Sequence, residues 1–351
     1  MIIDADFQKA IELIKKSGRV LLTTHIKPDG DGCGSMVAIC EALTALGKDV
    51  KILLLSELPG WYEFLFERKS AAERRDLARL DSLRRGRAEG GPEVFSEKTK
   101  IDSDLIVIVD TATYNQLPEF DKYLKQSDKP ILIIDHHATI DNIGNVRLID
   151  SSAGAAALIV FDLLKYAGWP ITKKIADALF VAISTDTGWF HFDNTDSRAL
   201  KVCAELIDAG ARASQIYHDL YQNFSPQRFR LMVAMLNSLE LHLDGRLAMQ
   251  HLTQADFKKA GAKYSDTENL IDECRRMSSV EAAALFVESA DGRVKVSLRS
   301  GGTIDVCKIA AKFGGGGHKM ASGTHLPGPI EKAKKLILTE IAEQFGRSAQ
   351  K

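Results

Sequence analysis

The sequence has no CxxC pair. Its five cysteines, Cys33, Cys40, Cys203, Cys274 and Cys307, are scattered and odd in number, which argues against both a disulfide framework and a thiolate zinc site and suits a reducing cytoplasm. A long hydrophobic run is also missing. The longest apolar stretch, Ala153 to Phe161, is far short of the roughly 20 residues that cross a bilayer, so no membrane partner is expected. The start, Met-Ile-Ile-Asp-Ala-Asp-Phe, carries early acids and no basic flank ahead of an apolar block, and reads as no secretory leader. Neither charge is in excess: 46 Lys plus Arg meet 47 Asp plus Glu for a formal −1. That balance speaks against a protein that coats long duplex nucleic acid, but leaves room for a site taking a small nucleotide or a short strand. There is no fixed-period repeat and no low-complexity tract.

What is present is an ordinary globular mixture of 351 residues, enough for about two domains at roughly 150 residues each. In the first half, apolar runs rich in Val and Ile (Val20–Thr24, Val50–Leu55, Leu105–Asp110, Ile131–Asp135 and Val146–Ile149) alternate with helical patterns such as Asp6–Lys16 and Gly34–Leu46. Runs without polar alternation are expected of strands covered on both faces, and their order predicts βαβ units. The second half reads strand (Leu247–Leu252), helix, strand (Ala283–Ser289), strand (Arg293–Arg299), helix (Ile304–Lys312), a glycine-rich loop and a last helix, with Asp291-Gly292 as a hairpin turn. The expected class is therefore α/β: a mostly parallel-sheet domain over 1–210, a helical linker over 211–240 and a smaller α/β domain over 241–351. Inside the first domain, 57–100 reads as an insertion. Its stretch Arg68–Arg87 holds eight basic residues against three acids, a solvated charged helix or a strand-guiding patch.

Asp and His gather at four places where an apolar element ends. The first is His25-Ile26-Lys27-Pro28-Asp29-Gly30-Asp31 after Val20–Thr24; the second is Asp110 after Leu105–Val109; the third is Asp135-His136-His137 after Ile131–Ile134; the fourth is Asp186, closing an apolar helix. Taken singly, Asp29 and Asp31 could form a turn and Asp110 a helix cap. Taken together they point elsewhere, because ligands in open α/β sheets bind beyond the carboxyl ends of the strands. So many acids in one crevice resist ionisation unless cations compensate them. Oxygen-rich donors with one or two imidazoles suit Mn²⁺ or Mg²⁺, and about seven donors suit a bridged pair.

These motifs, His25-x-x-Pro28-Asp29-x-Asp31, Val109-Asp110-Thr111-Ala112, Asp135-His136-His137 and Thr185-Asp186-Thr187-Gly188, resemble the DHH phosphoesterase superfamily in composition and order. Downstream, Val296-Ser297-Leu298-Arg299-Ser300 and Phe313-Gly314-Gly315-Gly316-Gly317-His318-Lys319-Met320-Ala321-Ser322-Gly323 resemble the associated DHHA1 domain. The chain is most similar to the group containing bacterial nanoRNases that also dephosphorylate adenosine 3′,5′-bisphosphate (pAp).

The resemblance implies a two-metal phosphodiesterase or phosphatase of the cytoplasm, with two Mn²⁺ (Mg²⁺ or Co²⁺ as substitutes) and its active site in the interdomain cleft. It implies that His25 and Asp29 hold one metal, Asp31 and His136 the other, and that Asp110 and Asp186 are shared. His137 is expected to bind the scissile phosphate or assist the leaving oxygen, and Asp135 to orient the histidines. Arg299, Gly314, Gly315, Gly316, Gly317, His318 and Ser322 are the expected substrate-binding residues, since bare glycine backbone admits a phosphate, Arg forks onto its oxygens and His stacks or donates. Substrates expected are short single-stranded RNA, pAp or dinucleotides, and a homodimer is expected by analogy. The alternatives are a phosphodiesterase for cyclic dinucleotides or their linear products, and a non-catalytic nucleotide-binding module. Pyrophosphatase relatives share the first motifs but grip with basic residues where this chain has glycines. RecJ-type exonucleases are longer and carry an additional nucleic-acid-binding domain that 351 residues leave little room for.

Overall fold

A computed structural model describes residues 2–66, 92–96 and 98–348; the arginine-rich stretch Arg68–Arg87 lies outside the described residues. The chain divides into two units, Met1–Asn223 and Phe224–Lys351. Among the described residues, no helix is long and apolar enough to cross a membrane.

The first unit is built on six strands: β1 (Arg19–Thr23), β2 (Asp49–Leu54), β3 (Glu93–Val94), β4 (Leu105–Val109), β5 (Ile131–Asp135) and β6 (Val146–Ile149). All pair in parallel, in the order β3-β2-β1-β4-β5-β6. The chain runs outward from β1 in one direction through β2 and β3, and in the other through β4. The junction of β1 and β4 is thus the point where strand order reverses and where such sheets form a ligand crevice. Strand alternation explains the near-continuous apolar runs. Leu22, Val107 and Leu132 face one apolar core, while Leu21, Ile106, Ile131 and Ile133 face a second that contains Phe120 and Leu124.

The helix after β1 spans Gly30–Ala45 and begins four residues before the expected Gly34. Glycine read as a breaker misplaces it; the glycines here permit contact. A Cβ on Gly34 would lie 2.9 Å from Ala182 Cβ on helix Lys173–Asp186, so these two helices pack backbone to backbone. Asp29 caps the early start, accepting from the amides of Asp31 and Gly32.

The expected linker 211–240 holds two helices, one in each unit. Ala213–Tyr221 buries Ile216 and Leu220 in the first unit's core, and Pro226–Asn237 buries Leu231 and Met235 in a core of the second. Ser225 caps a fresh start by accepting from Arg228 N, with Pro226 at the first helical position.

The second unit has a mixed sheet of β7 (Glu240–His242), β8 (Leu247–Leu252), β9 (Ala282–Glu288), β10 (Arg293–Ser300), β11 (Gly316–His318) and β12 (Ala321–Pro327), ordered β11-β12-β10-β9-β8-β7. Only β8 and β9 pair in parallel. β11 and the start of β12 replace part of the expected glycine-rich loop; Gly316–His318 and Ala321-Ser322-Gly323 lack the β-branched signature that marks a strand.

Candidate metal centre

Three strand ends and one helix end deliver the acids and imidazoles. β1 leads into His25, β4 into Asp110 and β5 ends at Asp135, while helix Lys173–Asp186 ends at Asp186. The ends are tied together: Thr24 Oγ1 donates to Val109 O at 2.9 Å, and Asp110 N donates to Ile134 O at 2.8 Å. Asp110 is held at φ 60°, a left-handed conformation that Asp tolerates but seldom adopts and that clusters at functional sites.

Asp110 is the hub. Its Oδ2 lies 3.4 Å from His25 Nε2, and its Oδ1 lies 3.4 Å from His136 Nε2. His25 Nε2 is also 3.7 Å from Asp29, and His136 Nε2 lies 3.9 Å from Asp31 and 3.5 Å from Asp186. Three donor trios result among the described residues: His25–Asp29–Asp110, Asp31–His136–Asp186 and Asp110–His136–His137, the last with His137 Nδ1 3.8 Å from Asp110 Oδ1. Asp186 groups with one trio alone, whereas the family resemblance implies a shared role for it.

Each imidazole is fixed from behind. His25 Nδ1 donates to Ile26 O at 2.9 Å and His136 Nδ1 to Ala153 O at 3.0 Å. Those carbonyls accept only, so they select the tautomer that leaves Nε2 free to ligate. Asp31 is anchored in the same way. It accepts from Ala156 N at 2.5 Å and Ala157 N at 3.0 Å, at the start of helix Ala156–Ala167, and from Ser35 Oγ at 3.2 Å.

The electrostatics describe a site with more negative charge than it can solvate. Burial works against charge on His25, yet Asp110 and Asp29 outweigh it and raise its pKa to about 11. Burial opposes charge on His136 too, and Asp110, Asp31 and Asp186 raise it to about 10. Burial and then repulsion from Asp110 raise Asp186 to about 7, and the same causes hold Asp31 well above the usual carboxyl range. Asp110 Oδ1 is buried without a hydrogen-bond donor. A buried orphaned carboxylate oxygen amid imidazoles whose Nε2 atoms face carboxylates is the donor set a hard divalent cation satisfies.

Asp135 and His137 stand beside this set. Asp135 Oδ1 accepts from His136 N at 2.8 Å, His137 N at 3.2 Å and His137 Nδ1 at 2.8 Å. It therefore orients the ring of His137 but only the backbone of His136, whose ring is held by Ala153. The Asp135 carboxylate raises the pKa of His137 against the opposing effect of burial. The half-exposed ring turns its Nε2 away from Asp135. A backbone carbonyl such as Ala153 O has no residue signature, so sequence reasoning could not find it.

The remaining expected residues lie in the second unit, and β-pairing sorts them by face. Arg299 pairs with Ala321, which pairs with His318; Ser297 pairs with Gly323, which pairs with Gly316. All six share one face. Gly317 and Ser322 point to the other, toward helix Val306–Lys312, where buried Ser322 donates to Val306 O at 2.7 Å. That hydroxyl proton is committed to the fold. The amides of Gly314 and Gly315 likewise donate to Ala311 O and Ala310 O at the end of that helix, so the glycine run does not present four free N–H groups. Arg299 lies with its Nε 3.4 Å from Asp272.

The family model described as the DHH family, N-terminal domain, matches residues 19–183, and that of the DHHA1 domain matches residues 246–347. A protein of Thermus thermophilus named bifunctional oligoribonuclease and PAP phosphatase NrnA is 30% identical over 98% of this chain and 94% of its own length. The protein of the same name from Bacillus subtilis is 26% identical over 90% of this chain and 92% of its own. The crystal structure of an exopolyphosphatase-related protein from Bacteroides fragilis matches with a TM-score of 0.84 at 22% identity, covering 99% of both chains; that likeness shows the fold.

Proposed function

The chain belongs to the DHH family and carries a C-terminal DHHA1 domain, and on that premise we propose that it hydrolyses short oligoribonucleotides to mononucleotides and removes the 3′-phosphate of pAp. The observation that carries the chemistry is the buried Asp110 carboxylate, whose Oδ2 lies 3.4 Å from His25 Nε2 and whose orphaned Oδ1 lies 3.4 Å from His136 Nε2. His25, Asp29 and Asp110 would hold one divalent cation, and Asp31, His136 and Asp186 would hold a second. Mn²⁺ fits this mixture of carboxylates and imidazoles best, and Mg²⁺ or Co²⁺ serve as substitutes. Cations held there lower the pKa of water and neutralise charge on a phosphoryl group.

His137, oriented through Nδ1 by Asp135, holds a proton at Nε2. It hydrogen-bonds the scissile phosphate or gives that proton to the leaving oxygen. In the second unit, Arg299 forks onto phosphate, His318 stacks on a base, and Gly316 lets the chain of the substrate lie close. The substrate reading is supported by the two relatives named oligoribonuclease and PAP phosphatase, which align along nearly the whole chain. A substrate panel with Mn²⁺ tests it: pAp, RNAs of two to five nucleotides, pApA, pGpG, cyclic dinucleotides and pyrophosphate. Turnover of pAp and the short RNAs is expected to exceed the others. A marked preference for cyclic dinucleotides, or binding without hydrolysis, overturns the reading.

A further inference from the structure

The second unit's sheet is covered unevenly. On one face lies a core formed with helices Val306–Lys312 and Ile330–Ser348. On the other, helix Pro226–Asn237 and the turns Tyr264–Thr267 and Leu270–Arg276 cover the β8 and β9 side, burying Ala248, Leu252, Ala283, Leu285 and Val287. The β10, β12 and β11 side of that face carries half-buried Lys295, Ser297 and Arg299 and exposed Gly316, His318 and His325. The result is a shelf, with strand residues as its floor and the two turns as its wall.

Lys295 stands four residues before Arg299 on this floor, about 13 Å away at the rise of a strand. The two heads are held apart. Arg299 Nε sits 3.4 Å from Asp272, while Lys295 Nζ sits 5.3 Å from the ring centroid of Tyr264. Among the described residues, Lys295 has no carboxylate partner, unlike Arg293 and Arg299 on the same strand. Tyr264 is 40% exposed, with its other contact a stacked Phe257 at 6.2 Å. An ammonium without a carboxylate partner, resting on an exposed aromatic ring, can turn to a phosphate and leave that ring face to a base of single-stranded nucleic acid.

We infer that Lys295 and Tyr264 form a second nucleotide subsite on the shelf, which selects oligoribonucleotides over a single nucleotide such as pAp. This rests on the proposed function, since it adds a substrate preference to that activity. The full chain with Mn²⁺ is assayed on pAp and on a five-nucleotide RNA across a range of salt. Lys295→Gln is expected to raise KM for the RNA about tenfold and KM for pAp less than twofold, with kcat unchanged. The slope of log KM against log salt for the RNA falls by about 0.7, one phosphate contact on a single strand. Tyr264→Ala also raises KM for the RNA about tenfold, and Tyr264→Phe restores it because the ring remains. Equal changes on both substrates, or none on the RNA, overturn the subsite. If the wild-type protein hydrolyses neither substrate, the proposed function fails instead. Anisotropy of the labelled RNA with the same variants then decides the subsite independently.

Discussion

In the first unit, six ligand-type side chains, buried Asp110 among them, arrive from four chain segments and crowd together, whereas in the second, Lys295, Ser297 and Arg299 stand at alternate positions of one strand and stay half-buried. The difference is one of cost. Burying carboxylates beside one another works against folding until cations arrive, so the first site needs fixed backbones, capped helices and committed imidazole nitrogens to hold its shape. The shelf needs only strand alternation. Chemistry is thus expected to depend steeply on single atoms of the first unit, and affinity to be spread shallowly over the second.

The largest effect breaks the comparison if it fails. Asp110→Asn keeps a residue type that accepts φ 60° and removes the charge that His25 and His136 both face. Activity with Mn²⁺ is expected to fall at least about a thousandfold. Circular dichroism in EDTA should show the wild-type fold, so that the loss reads as lost chemistry and not as unfolding. Turnover near normal would remove Asp110 from the metal assignment.

A second, smaller effect concerns pH. With cations removed, the raised pKa values of His25 (about 11) and His136 (about 10) contribute stability that is complete below their unfolded value near 6.5. That stability is lost as pH rises toward 10 and 11. Asp186, raised to about 7, acts in the same direction: the unfolded chain ionises it from about pH 4 upward, and the folded one resists. The metal-free protein should therefore lose thermal stability between pH 6 and 9. Saturating Mn²⁺ should raise Tm by about 5–10 °C at neutral pH, and by more at pH 9 than at pH 6. A gain independent of pH would mean that protons do not stand in for cations in this cluster.

Much of this was legible in the residues, for physical reasons. Buried parallel strands leave near-continuous Val and Ile runs, so β4 and β5 were readable to within a residue, and Asp110 and His136 followed from standing at their ends. Asp29 was readable as a turn residue or a ligand; it caps the helix after β1 and its carboxylate also lies 3.7 Å from His25 Nε2. What was not legible depends on groups without a side-chain signature. The carbonyl of Ala153 orients His136, and any residue there supplies one. Gly30 reads as a helix breaker until the neighbouring helix is seen to need the space. The glycine run read as a loop because a strand made of Gly316, Gly317 and His318 lacks branched side chains. Lys295 and Tyr264 drew no attention because the shelf that relates them comes from pairing across the sheet.

The smallest expected effect separates fold from function within two adjacent glycines. Gly317 faces helix Val306–Lys312 at φ 138°, and a Cβ there would lie 2.5 Å from Ala321 O and 2.7 Å from Ser322 Cα. Gly317→Ala should destabilise the protein by about 2 kcal/mol through backbone strain and overlap. Gly316 faces the shelf, and among the described residues nothing lies within 4 Å of a Cβ placed on it. Gly316→Ala should leave Tm within about 1 °C, since an open surface position costs little. If substrate lies along this floor, the added methyl raises KM for short RNA a few-fold and leaves Mn²⁺ affinity unchanged. An unchanged KM would place the substrate elsewhere on the shelf. Equal destabilisation by both substitutions would contradict the alternation that puts Gly316, Ser297 and Arg299 on one face.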